Sequence, residues 1–263
     1  MVSASPRYIN CSSTTKKVLQ MKHPKKVKAR GQDSYVDRGV LFKFWSDDVL
    51  QMYHFKTGKL LNECSVSGKH CSVASFIPKK NGYGRMFIET NLLPATVYVN
   101  EMNGNRPKLS RILKFPGSKY GYNMKHVVDT SGYYIYGIAT RTKSRISSDN
   151  GNYMIISVWN TRRLSKNSDK SYTPKYVRSF KVPFIMFCQG MCFYRNKLYI
   201  LSSDYSSPCT KVYAVDLKRE QISEVYHQFP KGIKERETQG VFVDGGYLFI
   251  DEGTTVYRVS KVY

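Results

Sequence analysis

Residues 189–201 read QGMCFYRNKLYIL and residues 239–251 read QGVFVDGGYLFID, one template used twice, 50 residues apart. In both, a Gln-Gly pair opens an apolar-rich run, polar residues interrupt it, and a second run begins nine residues after the glutamine, at Leu198 and Leu248. Short β-branched and aromatic runs bounded by Gly, Asn and Asp read as strands. The same nine-residue offset links Gln32 to Leu41-Phe42-Lys43-Phe44 and His126 to Ile135-Tyr136-Gly137-Ile138. His70 fits with its partner run, Met86-Phe87-Ile88, displaced to sixteen residues by an insertion holding Pro78 and Gly82-Tyr83-Gly84.

Each unit continues with a third strand: Leu50 to Phe55, Thr96 to Val99, Tyr153 to Val158, Lys211 to Asp216, and Thr255 to Val259. Four units add a fourth: Lys59 to Cys64, Arg111 to Phe115, Tyr176 to Phe180, and Ile222 to His227. The fifth unit has three, and the missing strand is supplied from the other end of the chain by residues 16–21. Four antiparallel strands repeated five times predict an all-β fold, a five-bladed β-propeller in one domain spanning 1–263. One blade cannot bury both faces, whereas a ring of blades can. Closing that ring with the N-terminal strand removes the exposed edges that would otherwise pair with other chains. The units start at 32, 70, 126, 189 and 239, and their excess over ~40 residues per blade falls in loops. A degenerate blade hidden in the long third unit would make the count six.

The 263 residues include 42 Lys+Arg against 19 Asp+Glu, a formal charge of +23, and 14% aromatic residues, which excludes a disordered chain. No apolar run reaches the ~18–20 residues of a membrane span. Residues 1–30 lack the apolar core of a signal peptide. The six cysteines form no paired CxxC knuckles, which excludes a zinc ribbon, and read as buried free thiols. Cys188 and Cys192, four apart in one strand, are expected on the same side and roughly 13 Å apart, too far for a disulfide. Neither a phosphate-binding Gly-rich loop nor a G-x-S-x-G elbow occurs, so P-loop and Rossmann nucleotide sites and Ser hydrolases are unsupported.

Gln189-Gly190-Met191 with Leu198-Tyr199, and Gln239-Gly240-Val241 with Leu248-Phe249, resemble the Gln-Gly…Leu-Tyr repeats of plant-type glutaminyl cyclotransferases, five-bladed propellers. Gln32-Asp33 and His70-Cys71-Ser72 resemble motifs of uncharacterised secreted propellers of gut bacteria. The cyclotransferase resemblance implies a proton-shuttling glutamate directly after Leu-Tyr. Here those positions are Ile200 and Ile250, which hold no proton, and Asp251 and Glu252 come one and two residues late. A one-residue slip turns a side chain to the other face of a strand. The resemblance therefore implies the fold without the activity, and the secreted relatives imply an extracellular or cell-surface setting.

First strands line a propeller's axis. Gln32, His70, His126, Gln189 and Gln239 are accordingly expected to converge there, with Asp33, Asp129 and Glu237 as the carboxylates nearest in sequence. Such side chains satisfy one another and water at a narrow wet channel without burying charge. They are also the candidate ligand site, and His70 with His126 is the only pair suited to an axial divalent metal; otherwise no cofactor is expected. The positive charge concentrates in residues 1–30, which hold eight cations and no carboxylate, and between Glu101 and Asp129. A field of this kind favours polyanions. An acidic glycan or cell-envelope polymer ranks ahead of nucleic acid, because most tyrosines of the repeat fall at core positions. The first functional reading is a non-enzymatic module binding an anionic or carbohydrate ligand by its axial funnel or basic face. The alternative is an enzyme using the axial ring, a metal-assisted polysaccharide lyase or a cyclotransferase-like transferase.

Overall fold

The computed structural model describes residues 5–24, 31–68, 71–90, 95–116, 122–140, 153–161, 170–183, 185, 188–203, 211–230, 233 and 238–263. Two strands come first, β1 (Arg7–Asn10) and β2 (Lys16–Gln20). Blade one is β3 (Gly31–Asp37), β4 (Val40–Trp45), β5 (Val49–His54) and β6 (Leu60–Ser65). Blade two is β7 (Cys71–Ile77), β8 (Arg85–Thr90), β9 (Thr96–Asn103) and β10 (Arg106–Lys114). Blade three is β11 (Tyr122–Val128), β12 (Tyr134–Thr140), β13 (Tyr153–Asn160) and, after the two-residue β14 (Ser171–Tyr172), β15 (Lys175–Pro183). Blade four is β16 (Cys188–Tyr194), β17 (Lys197–Ser202), β18 (Lys211–Asp216) and β19 (Gln221–His227). Blade five is β20 (Gly240–Asp244), β21 (Tyr247–Glu252) and β22 (Thr255–Lys261), completed by β2.

The five-bladed reading therefore holds, and so does the closing strand: β2 pairs antiparallel with β22, Lys16 opposite Arg258. The described residues contain no helix, hence none long and apolar enough to cross a membrane. Two additions were not expected from the repeat. β1 lies parallel on β19, with Tyr8 opposite Val225, so the N-terminal segment spans blades four and five. β14 lies parallel on β10, giving blade two a fifth strand drawn from the connection inside blade three. The β9–β10 hairpin is also longer than expected, because Asn103 to Arg106 forms its turn with Gly104 at φ 58°. Pro107 is tolerated there because the outer strands carry few ladder bonds on their far side.

Local chemistry accounts for the inner hairpins. Arg38-Gly39, Arg195-Asn196 and Gly245-Gly246 each have two positive φ values, the two-residue turn that matches strand twist. The apolar faces then meet between blades. Five buried clusters fill five seams, for example Val40, Phe42, Met52, Phe76 and Ile88 between blades one and two. The ring-closing seam holds Leu19, Met21, Leu41, Tyr53, Phe242 and Val256.

The bulges in the inner strands matter for side-chain direction. Register shifts occur between Gly31 and Ser34, between Cys71 and Val73, and between Cys188 and Gly190. A bulge reverses the alternation of side chains beyond it. Cys188 consequently packs against the cluster of blades three and four while Cys192 packs in that of blades four and five, correcting the expectation that they share a face. Cys11, Cys64, Cys71, Cys188 and Cys192 are free thiols.

Candidate functional site

The inner strands meet at the hub, and those of blades two and four touch across it. Such proximity needs small residues. A Cβ on Gly190 would sit 2.4 Å from the Gln239 carbonyl oxygen, and one on Gly240 would sit 3.1 Å from the Ser34 amide nitrogen of blade one. This is the physical content of the repeated Gln-Gly pair: glycine lets neighbouring inner strands close on one another. In blade one the corresponding residue is Asp33. Its Oδ2 accepts the Ala74 amide of blade two at 2.7 Å, and Oδ1 accepts the Ser34 amide at 2.8 Å. Ser75 repeats the device, its hydroxyl accepting the Val128 amide of blade three at 3.0 Å.

Charged side chains fill the hub. Lys43 and Asp251 are both 0% exposed, with Nζ 2.6 Å from Oδ2. Ser34 Oγ also donates to that Oδ2, and Lys43 Nζ donates to the Gln32 carbonyl at 3.1 Å. A second group lies between blades two, three and four. Lys125 Nζ donates to Ser72 Oγ at 2.7 Å and to the Gln189 carbonyl at 3.1 Å. Ser72 in turn donates to Glu89 Oε2 at 2.9 Å. Both groups repeat one pattern of carboxylate, hydroxyl and ammonium.

Burial dominates the ionisation of this cluster. It pushes Asp33 up to about 8, against the pull of its two backbone N–H partners. It pushes Glu89 up to about 8 despite Lys125 and the Ser72 hydroxyl, and it raises Asp251 despite Lys43. The Cys71 and Cys188 thiols are raised too, so these are not activated nucleophiles.

The residues expected at the axis take several places. Gln32 is buried, Gln189 and Gln239 are half-buried, and the backbone carbonyls of Gln32 and Gln189 meet the lysines. His126 is 2% exposed and stacks on Phe115 at 3.8 Å, within the seam of blades two and three. Its Nδ1 is 4.0 Å from Glu89 Oε1, and neither ring nitrogen has a hydrogen-bond partner among the described residues. Burial drops it to about 3, so it is a neutral imidazole. Asp129 ties the β11–β12 turn, accepting the Ser131 hydroxyl at 2.6 Å and the Tyr134 amide at 3.2 Å. His70 and Glu237 lie outside the described residues. Among those described, no three His, Cys, Asp or Glu side chains gather as a metal set.

Sequence reasoning passed over Lys43, Glu89 and Lys125 as hub residues, and set Asp251 aside as a carboxylate one residue late. A signal for one of them existed: a lysine inside the otherwise apolar run Val40 to Trp45 demands a buried partner. Lys43 also stands directly after Leu41-Phe42, where Ile200 and Ile250 stand in blades four and five.

Hub and seams together define the class, a five-bladed β-propeller with a buried ionic axis. Comparison with solved structures agrees. The chain superposes on the glutaminyl cyclase of Myxococcus xanthus with a TM-score of 0.61 at 11% identity, covering 98% of this chain and 100% of that one. That likeness establishes the fold. The hydrazine synthase of Kuenenia stuttgartiensis gives 0.43 at 14% identity, over 89% of this chain and 55% of that one. No protein-family model and no curated protein matches the sequence.

Proposed function

We propose that the protein is a non-catalytic binding propeller that recognises an acidic polysaccharide through its basic outer surface, with the axial ions serving as the hub that holds the blades. The observation behind this reading is the division of labour among the charges. Lys43, Lys125, Glu89 and Asp251 are hydrogen-bonded to one another, to serines or to inner-strand carbonyls. Exposed cations, by contrast, occupy the rim: Lys16 and Lys17 on β2, Lys108 and Lys114 on β10, Lys175 and Lys181 on β15. With a formal charge of +23, that rim attracts polyanions. Binding to an immobilised polyuronate or sulfated glycan, with a neutral glucan as control, tests the reading. Affinity for the acidic polymer should fall steeply between about 50 and 200 mM salt, as displaced counterions require. Equal retention on the neutral polymer, or binding indifferent to salt, would overturn it.

A second reading has one observation in its favour. Glu89 is a buried acid held near neutrality beside Lys125, and such a group suits proton transfer. A cyclotransferase-like activity would release ammonia from peptides with N-terminal glutamine and would be lost in Glu89→Gln. The non-catalytic reading expects no ammonia above the uncatalysed rate.

A further inference from the structure

The outer strand of every blade carries a one-residue bulge. Leu61 in β6, Ser110 in β10, Val177 in β15, Ser223 in β19 and Val18 in β2 have no residue opposite them in the adjoining strand. Bulges ordinarily blunt a sheet edge against further pairing. Two of these edges are nonetheless occupied. β1 pairs parallel with β19 from Glu224 to His227, directly after the Ser223 bulge, and β14 pairs parallel with β10 at Ile112 and Leu113, just past Ser110. In both, the bulged serine donates its hydroxyl to a carbonyl of the adjoining strand, Val99 at 2.9 Å and Ala214 at 3.2 Å. Among the described residues, β6, β15 and β2 have a neighbouring strand on one side only. Their bulged residues are exposed aliphatics: Leu61 at 42%, Val177 at 46% and Val18 at 40%. The chain itself thus shows that these bulged edges accept a short extended segment.

Charge is matched across the occupied edge of blade four. Arg7 of β1 lies opposite Glu224 of β19, and its guanidinium is 3.6 Å from that carboxylate. Of the open edges, β15 is the most strongly charged: residues 175–183 hold Lys175, Arg178 and Lys181, all exposed, and no carboxylate. The Val177 bulge brings Lys175 and Arg178 to one face, opposite Asn160 and Val158, while Lys181, opposite Ile155, takes the other. Arg178 already accepts a carboxylate from outside its own sheet, that of Glu220 in the β18–β19 turn. Two β15 edges laid against each other would set these cations together, and like charges across a strand pair repel. An acidic partner fits where a second copy does not.

We propose that the outer edge of β15 is a docking strand for an extended acidic peptide. The peptide adds beyond the Val177 bulge, along Arg178 to Val182, running parallel as β1 does on β19. Main-chain hydrogen bonds hold it, its carboxylates meet Arg178 on one face and Lys181 on the other, and an apolar residue at its end covers Val177. This goes beyond the polysaccharide reading and does not depend on it.

The test is titration of the full chain with a fluorescent peptide of alternating Glu and Val, roughly eight residues long. A copy N-methylated at every amide keeps the side-chain charge, loses every backbone donor, and should bind at least about tenfold more weakly. Arg178→Ala/Lys181→Ala, both exposed positions, should weaken the unmethylated peptide about tenfold. Lys16→Ala/Lys17→Ala removes equal charge from blade five and should change it less than about twofold. Val177→Ser installs the residue of the occupied edges without altering charge, and should cost roughly threefold in affinity. Equal losses from the two double variants would mean attraction to the whole charged surface and would overturn the site. Undiminished binding of the methylated copy would overturn strand addition, and no binding of the peptide by the unaltered chain would overturn the proposal outright. A dimer of the chain that depends on Arg178 and survives excess peptide would make a second copy the occupant and overturn the acidic partner.

Discussion

Lys43 shows how a single residue commits a whole axis. An ammonium with no exposure costs several kcal/mol to bury unless it is paired, and the attraction of Asp251 at 2.6 Å repays that cost only with further hydrogen bonds in place. The Gln32 carbonyl and Ser34 hydroxyl supply them. Asp33 and Glu89 carry a different consequence. Each has a folded-state pKa of about 8, above its ordinary value near 4, so the folded protein holds these protons more tightly than the unfolded chain does. That stabilisation is complete in acid and is lost as pH rises toward 8. His126 has the opposite sign: its folded-state value near 3 makes it stabilising above about 6.5 and costly as pH falls. From these three groups, urea midpoints should be highest near pH 4 and decline as pH rises, most steeply between about 6.5 and 8. Glu89→Gln should flatten the alkaline limb by about 1–2 kcal/mol. A midpoint still rising through pH 8 would contradict this assignment.

Among elements, the inner strands decide how near the blades stand. Gly190 on β16 faces the Gln239 carbonyl, and no rotamer can relieve a Cβ clash with backbone. Gly190→Ala should lower stability by about 1–3 kcal/mol through overpacking. Gly104→Ala, whose Cβ would meet open space, should cost only its positive φ. Denaturation of the two variants side by side checks this, and equal losses would show that close approach is not what the Gln-Gly pair secures. The bulges belong to this scale as well. They escape a reading based on strict alternation, because one inserted residue inverts every later side chain. For that reason Cys188 and Cys192 could not be placed from their spacing.

For the whole molecule, the N-terminal segment matters most. β1 adds to blade four, tying residues 7–20 across blades four and five, and β2 completes blade five at its junction with blade one, where the ring would otherwise open. Leu19 and Met21 are buried in that junction. At about 1.5–3 kcal/mol for each buried side chain, deleting residues 1–21 should cost roughly 3–6 kcal/mol before lost strand pairing is counted. It should also leave β22 as a bare edge that promotes association. Thermal unfolding with light scattering reads both effects, and an unchanged midpoint without aggregation would show that the ring closes without its strap.

The blade count, the repeat and the closing strand were legible in the chain alone, because propeller blades impose local periodicity and each apolar run must find a neighbouring blade. Leu198-Tyr199 and Leu248-Phe249 declare their register within a dozen residues of Gln189 and Gln239. The occupants of the hub were decided only by tertiary structure. Lys43 and Asp251 are 208 positions apart and meet because the ring closes. Glu89, Ser72 and Lys125 come from two blades, and inner-strand bulges set the direction of the residues around them. Periodicity reports which face a strand buries; which charges come within bonding distance depends on how five sheets are wound about one axis.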